Sequence, residues 1–365
     1  MSKRSTTNKG HKMEETLRNY FLKAGYYVVR GVPFVYEGFN VTDIDLWMYG
    51  RASSVSREIT IVDIKNKKTP QAIERIFWVQ GLRQAISATS AIVATSDSRQ
   101  AVKDFGKELG ISVLDGTFLS KLTPNYDPGV ERLLEEDFIA LINEYNLGKL
   151  DGDWKGRVIS CKSLLSKKLS FDSCNEWMSQ AHFFAEQSIT KPKQREIALR
   201  CLYLIVSFIA IAIDFTLKEL SFLDLPERIN MIKDGFTYGS KGSSGMKKVI
   251  NVAMGLVEQY ATDGAVISNQ VRSNINNQLS SLNTIILGEY FSKTEVSKNL
   301  FSIAKELEHL SMARTFSSHS TASIELRSLL FCLLDYWAID RVMFSEQDKL
   351  HNKANSGVAK SRAAD

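Results

Sequence analysis

Hydrophobic positions divide the chain into two halves with different periodicities. In the first 122 residues, runs rich in Val, Ile, Tyr and Phe predict strands at 26–39, 41–49, 58–64, 91–95 and 111–114. Helical spacing of apolar residues predicts helices at 12–24, 70–87, 98–109 and 118–122. The alternation of helices and strands favours an α/β domain with a mixed sheet flanked by helices.

The second half has helical periodicity throughout. Apolar positions predict helices at 131–145, 173–187, 195–220, 246–260, 265–291, 294–313 and 321–344, and the Gly/Ser-rich stretch 234–245 is expected to be a mobile loop. Turn-forming residues at 123–129 (TPNYDPG) mark the boundary between the halves. We therefore predict an α/β domain at 10–122, a linker at 123–130, an all-α domain at 131–345 and a disordered tail at 346–365. A chain of 365 residues is expected to form two cores.

The longest apolar run, 201–213, is interrupted only by Ser207. Thirteen residues fall short of the roughly 20 that span a bilayer, so a buried core helix is expected and no membrane association. No apolar segment follows the first residues, so a secretory signal is not expected. Four widely spaced cysteines have no metal-binding spacing, and they favour free thiols in a reducing cytoplasm.

Charge is distributed unevenly along the chain. The net charge is +5, and residues 1–122 hold 18 Lys and Arg against 12 Asp and Glu, so the positive excess lies in the α/β half. A basic domain raises the expectation of a polyanionic partner.

Two neighbouring predicted strands carry the residues with the most informative chemistry. Asp45 lies on one of them, and Asp63 and Lys65 share a face of the next because side chains alternate along a strand. If the two strands pair, Asp45 and Asp63 converge. Two carboxylates supply the hard oxygen ligands that Mg²⁺ prefers, and a nearby lysine stabilises a developing oxyanion. This combination is suited to hydrolysis of phosphodiester bonds.

The first helix offers a third acid. Glu14 flanks its apolar face, whereas Glu15 is predicted to point towards solvent. We therefore expect Glu14 to be the acid that reaches the sheet.

Asp45, followed eighteen residues later by Asp63-Ile64-Lys65 within this order of elements, resembles the PD-(D/E)XK nuclease superfamily. The likeness is greatest to Mrr-type restriction endonuclease domains and Holliday-junction resolvases, and it extends to residues 10–14, 25–29, 91–96, 101, 105, 109–111 and 114–116. The chain departs from the pattern in having Asp rather than Glu before the lysine position, and in having no proline before Asp45.

The resemblance implies a restriction-endonuclease-like fold at 10–122 and Mg²⁺-dependent cleavage of DNA, with Mn²⁺ as a substitute and RNA not excluded as a substrate. It implies Asp45, Asp63 and Glu14 as metal ligands, Lys65 as the catalytic lysine and Gln80 as an active-site glutamine. A role in restriction or antiphage defence is a family-level expectation.

Lys67 and Lys68 follow the catalytic lysine and are expected to contact phosphates of the nucleic acid. Phe77 and Trp78, on the next predicted helix, are expected to be core residues.

The residues of the helical half suggest no family. Dimerisation, partner binding and substrate contact all stay open as its role. Two alternatives to a free-standing nuclease remain: a nuclease subunit that is active only in a larger complex, and a catalytically silent nucleic-acid-binding scaffold.

Overall fold

A computed structural model describes residues 9–65, 71–122 and 130–345. Lys67 and Lys68, most of the predicted linker and the predicted tail lie outside the described residues. Five strands form one mixed sheet in the order β1-β2-β3-β4-β5: Tyr27–Tyr36 (β1), Phe39–Arg51 (β2), Arg57–Lys65 (β3), Ser90–Thr95 (β4) and Ser112–Leu114 (β5). The first three strands pair antiparallel, and β4 and β5 continue the sheet in parallel. The predicted mixed sheet is confirmed.

Four helices cover the two faces of this sheet: Lys9–Lys23 (α1), Ala72–Ala85 (α2), Gln100–Glu108 (α3) and Gly116–Leu122 (α4). On one face, Leu17 and Phe21 of α1 pack with Leu46 and Val62. On the other face, α2 packs with strand residues such as Ile61 and Val93. Strand positions alternate between these faces, so both sides of the central strands are apolar and buried.

The remaining described chain is helical, as predicted. Its helices are Glu135–Asn143 (α5), Trp154–Ser163 (α6), Phe171–Thr190 (α7), Arg195–Leu220 (α8), Leu225–Tyr238 (α9), Gly242–Tyr260 (α10), Gly264–Ser281 (α11), Thr284–Phe291 (α12), Thr294–Met312 (α13) and Ile324–Tyr336 (α14). Helices α6 and α9 are absent from the sequence prediction, and the single helix predicted at 265–291 is two helices.

The prediction of a mobile loop at 234–245 is wrong. Residues 234–238 end α9, one 3₁₀ turn follows, and α10 begins at Gly242. Only Gly239 and Gly242 interrupt the helices, with φ of 68° and 64°. The other glycines of this stretch are accommodated within helices, because a helical glycine costs only about 1 kcal/mol relative to alanine.

Helix α8 is the centre of the helical half. With the turn before it, Pro192–Leu220 is long and apolar enough to cross a membrane by length and composition, and 89% of its most apolar window is buried inside the protein. The prediction of a buried core helix for this segment is therefore confirmed. All four cysteines are free and buried.

The described residues form two hydrophobic clusters, and the larger one joins the sheet to the helical half, so the clusters do not follow the predicted boundary between the two domains. Side chains from β1, β2 and β3 belong to the same buried cluster as those of α8 and α13. Two tyrosines of the sheet reach α8: the hydroxyl of Tyr27 lies 2.6 Å from Ser207 Oγ, and that of Tyr49 donates to Asp214 over 2.6 Å. The apolar face of β1 and β2 is covered by the helical half, which sequence periodicity does not show.

Candidate active site

The strands β2 and β3 separate at the position of the predicted carboxylates. Their ladder ends with the pair Leu46 and Val62, so the next residues in register are Asp45 and Asp63. Beyond the end of the ladder, the backbone N–H of Ile64 donates a hydrogen bond to the side chain of Asp45, with a distance of 2.6 Å to Oδ2. The structure thus brings the two predicted acids together at a strand fork, which we define as Asp45, Asp63, Lys65 and Arg75.

Asp45 is the electrostatically unusual member of the fork. Burial raises its pKa to about 6, the hydrogen bond from Ile64 opposes the rise, and the negative charge of Glu14 adds to it. The positive charges of Lys65 and Arg75 act in the opposite direction but do not cancel the effect. A carboxylate with a raised pKa lacks an adequate counter-charge, which a bound cation would supply.

Arg75 is the member of the fork that the sequence analysis missed. Its guanidinium binds Asp63 through two hydrogen bonds, one from Nε to Oδ2 of 2.8 Å and one from Nη2 to Oδ1. Burial lowers the pKa of Arg75, and the charge of Asp45 opposes this. The spacing along α2 indicates this contact, because Arg75 lies three residues after buried Ala72 and one before buried Ile76 and is therefore close to the face that packs on the sheet.

The aromatic residues beside Arg75 do not lie in the core. Phe77 is 60% exposed and Trp78 is 43% exposed, so their prediction as core residues is wrong. Arg75 lies over the Trp78 ring, 5.7 Å from its centroid. Exposed aromatic area therefore adjoins the fork.

Lys65 and Gln80 have different positions relative to the fork. Lys65 is the last residue of β3, half-buried, and forms no ion pair within the described part of the chain. Gln80 lies further along α2, and its Oε1 is buried without a hydrogen-bond partner among the described residues. Within the described residues, no hydrogen bond joins Gln80 to the fork. Its role as an active-site glutamine therefore stays a prediction.

Both acids of α1 reach the sheet. Glu14 Oε2 accepts from Arg30 Nε over 2.6 Å, and Glu15 Oε1 accepts from Arg30 Nη1 over 3.0 Å. Glu15 is 1% exposed, so the prediction that it points towards solvent is wrong. The reason is that α1 is covered on a second side by the helical half, where Glu15 also accepts from the backbone N–H of Glu135.

A second group of charges lies where the edge of β1 meets the helical half. This junction cluster consists of four acids and four bases: Glu15, Arg18, Arg30, Arg132, Glu135, Glu136, Lys162 and Glu308. Arg18 Nη2 lies 2.9 Å from Glu308 Oε1, and Lys162 Nζ lies 2.6 Å from Glu135 Oε1. Although burial opposes it, the surrounding cations hold the pKa values of Glu135 and Glu308 below their usual range.

The donor set at the fork suits a hard divalent cation. Within the described residues, no group of three or more His, Cys, Asp or Glu side chains is arranged to hold a metal ion. Mg²⁺ does not need one, because it is usually held by one or two carboxylates together with water and substrate phosphates. Asp45 and Asp63 meet that requirement, and the poorly compensated charge of Asp45 favours a cation there, whereas Glu14 is already paired with Arg30.

Comparison of the chain with protein-family models, curated proteins and solved structures gives no significant match in any of the three. The resemblance to the nuclease superfamily therefore rests on the residues themselves.

Proposed function

We propose that the chain is a metal-dependent nuclease that hydrolyses phosphodiester bonds of DNA at the strand fork. The observation that supports this most strongly is the contact of Asp45 Oδ2 with the backbone N–H of Ile64, which sets one carboxylate beside the next strand at the position of Asp63. Lys65 follows on the same face of β3 as Asp63.

In this proposal Asp45 and Asp63 hold Mg²⁺ or Mn²⁺, and Glu14 is an accessory ligand. An ion held there would supply Lewis-acid chemistry to a phosphoryl oxygen and would lower the pKa of a water bound to it. Lys65 donates to the phosphoryl oxygens or to the attacking water, and stabilises the negative charge that develops during the displacement. Without an ion pair in the described chain, its ammonium is available for that role.

Arg75 gives the fork two arrangements. In the first, its guanidinium neutralises Asp63, as the structure shows. In the second, the pair would be open, Asp63 would be free to hold the metal ion, and the guanidinium would be free to donate two hydrogen bonds to a phosphate of the substrate. Arg75 is thus a competitor of the metal ion and a phosphate contact in the loaded enzyme.

The positive excess of the first 122 residues supports a polyanionic substrate. DNA as the substrate and a role in restriction or antiphage defence come from the resemblance alone. Phosphate contacts from Lys67 and Lys68 are expected from their charge beside the site, and the cytoplasm from the cysteine spacing. Fold does not determine function, so these assignments depend on experiment.

The experiment is a cleavage assay on supercoiled, linear and single-stranded DNA in Mg²⁺, Mn²⁺ or EDTA. It compares the wild type, Asp63→Ala and a matched control, Asp97→Ala. Asp97 is also a buried acid just beyond a strand end and is also bound by an arginine, Arg99. We expect metal-dependent cleavage that Asp63→Ala abolishes and Asp97→Ala retains.

Cleavage that survives Asp63→Ala would contradict the assignment of the site. No cleavage, together with retained DNA binding, would favour the silent scaffold. Cleavage that appears only when a partner protein is added would favour the subunit of a larger complex.

A further inference from the structure

Helices α10 and α11 form a hairpin at the surface of the helical half. Residues 261–263 join them, and Gly264 begins α11 where a Cβ atom would lie 2.4 Å from the carbonyl oxygen of Val257. Met254 is the buried hydrophobic residue of α10, and Asn251 and Glu258 on neighbouring turns accept hydrogen bonds from Arg272 and Ser268 of α11. Most other side chains of both helices are exposed.

The outward face of α10 is apolar along its length. At about 100° per residue, six positions fall within an arc of about 100° and contain no charged side chain. We call them the α10 stripe: Gly245, Val249, Val252, Ala253, Leu256 and Tyr260. Val252 is 67% exposed and Tyr260 is 77% exposed.

The outward face of α11 is polar by comparison. Its exposed residues include Asn269, Gln270, Ser273, Asn274 and Asn277. A helix that only borders solvent is expected to look like α11, whereas an exposed apolar stripe indicates a surface that is covered by another helix.

We infer that the α10 stripe is the interface with a second copy of this chain, in which the two α10 helices pack antiparallel about a two-fold axis near Val252 and Ala253. In that register Tyr260 of one copy faces Gly245 of the other, and Leu256 faces Val249. The largest side chain of the stripe meets the position with none, so the stripe is complementary in size to itself, as a two-fold interface requires.

The exposed area is of the size of a small dimer interface. Val249, Val252, Leu256 and Tyr260 are 52–77% exposed, which leaves roughly 350 Å² of apolar surface per copy, within the roughly 300–600 Å² of the largest patches on monomers. Because an interface is a little over half apolar, the dimer would bury roughly 600 Å² per partner, at the lower end of specific interfaces. This inference does not depend on the proposed nuclease activity.

The test is the mass of the full chain in solution, measured by sedimentation equilibrium over a range of concentrations. We expect twice the chain mass of 41.1 kDa for the wild type at micromolar concentration. Leu256→Glu places one buried charge per copy in the interface, and we expect it to weaken association at least about 100-fold. Val266→Glu is the matched control, because Val266 is an exposed apolar residue of α11 outside the stripe.

Circular dichroism of each variant confirms that the fold is retained. A wild type that stays monomeric would overturn the inference and leave the stripe to a different partner. Dimers of both the wild type and Leu256→Glu would also overturn it, because the interface would lie elsewhere.

Disulfide trapping tests the register. The native cysteines are buried, so single introduced cysteines report on the surface alone. We expect Val252→Cys to form a covalent dimer on mild oxidation at least tenfold faster than Tyr260→Cys, whose copies lie at opposite ends of the interface. Equal rates for the two variants would contradict the antiparallel arrangement.

Discussion

The junction cluster and the strand fork are both built from acids, arginine and lysine, yet they differ in how the charges are satisfied. In the junction cluster, Arg30 contacts Glu15 and Glu136 at 2.8–3.0 Å and also binds Glu14 at 2.6 Å, and every acid of the cluster has a cationic partner. At the fork, Asp45 accepts a hydrogen bond from the backbone N–H of Ile64, and within the described residues neither Asp45 nor Lys65 forms an ion pair.

This difference separates structural charges from candidate functional ones. Burying a matched network of charges has a desolvation penalty, which its ion pairs and hydrogen bonds offset. Such a network sets the orientation of the two parts of a protein that it joins. An acid and a lysine without ionic partners, held beside each other at a strand end, are costly to the fold unless a ligand completes them. The four predictions below test this separation, from the largest effect to the smallest.

Replacement of Lys65 by alanine should lower metal-dependent cleavage about 10³-fold, equivalent to about 4 kcal/mol, because the charge that develops on the phosphate loses its donor. The free energy of unfolding should change little. Lys162→Ala in the junction cluster should do the reverse and lower stability while the activity of the folded fraction persists. Initial cleavage rates and urea unfolding measure both, and equal loss of activity in the two variants would break the comparison.

Replacement of Glu308 by glutamine should destabilise the protein by about 3 kcal/mol or more, because Arg18 and Arg132 stay buried and each loses its ion pair with Glu308. The pKa of Glu308 is lowered in the fold, so its contribution is present above the ordinary value near 4.5 and is lost as the pH falls through the folded value. Wild-type stability should therefore fall below about pH 4.5, and more steeply than that of the variant. Urea unfolding of the wild type and the variant at pH 7 and pH 3.5 checks this. An equal loss of stability in both proteins between the two pH values would exclude this role of Glu308.

Replacement of Asp45 by asparagine should stabilise the metal-free protein by up to about 3 kcal/mol at pH 8. Burial raises the pKa of Asp45 from 3.8 to about 6, so the cost of its ionised form appears as the pH rises through this window and is complete above it. The gain should vanish at pH 4, where Asp45 is largely protonated in the fold. Thermal unfolding of the wild type and the variant in EDTA at the two pH values measures the gain in stability. Destabilisation of the variant at both pH values would contradict the buried, poorly compensated environment of Asp45.

Replacement of Arg75 by glutamine should tighten Mn²⁺ binding about tenfold, or about 1.4 kcal/mol, because the metal no longer competes with a guanidinium for Asp63. Arg99→Gln is the matched control, since Arg99 binds Asp97 and not the fork. Isothermal titration gives the affinities. Weaker or unchanged affinity in Arg75→Gln would show that the pair with Asp63 does not oppose the metal ion.

The sequence predicts local structure well and contacts between distant segments poorly. Strand periodicity locates β2 and β3 within a few residues, and alternation puts Asp63 and Lys65 on one face. The pairing of Asp45 with the backbone of Ile64 follows from register, which the short turn between the strands makes accessible to prediction.

Arg75 and Glu15 show why the rest of the site is harder to predict. Each is placed by tertiary packing: Arg75 by the crossover of α2 onto β3 and β4, and Glu15 by coverage of α1 from the helical half. A helical wheel treats a helix as having one buried side, so it assigns Glu15 to solvent although it is 1% exposed. The cluster that joins the sheet to the helical half is missed for the same reason, because Tyr27 and Tyr49 lie more than 150 residues from their partners in α8.

The most direct test of the central claim is Mn²⁺ binding to the metal-free protein, followed by electron paramagnetic resonance. The account predicts binding by the wild type that is lost in Asp45→Asn/Asp63→Asn, whereas Glu135→Gln in the junction cluster retains it. Absence of binding by the wild type, or equal binding by the double variant, would contradict the assignment of a metal centre to the strand fork.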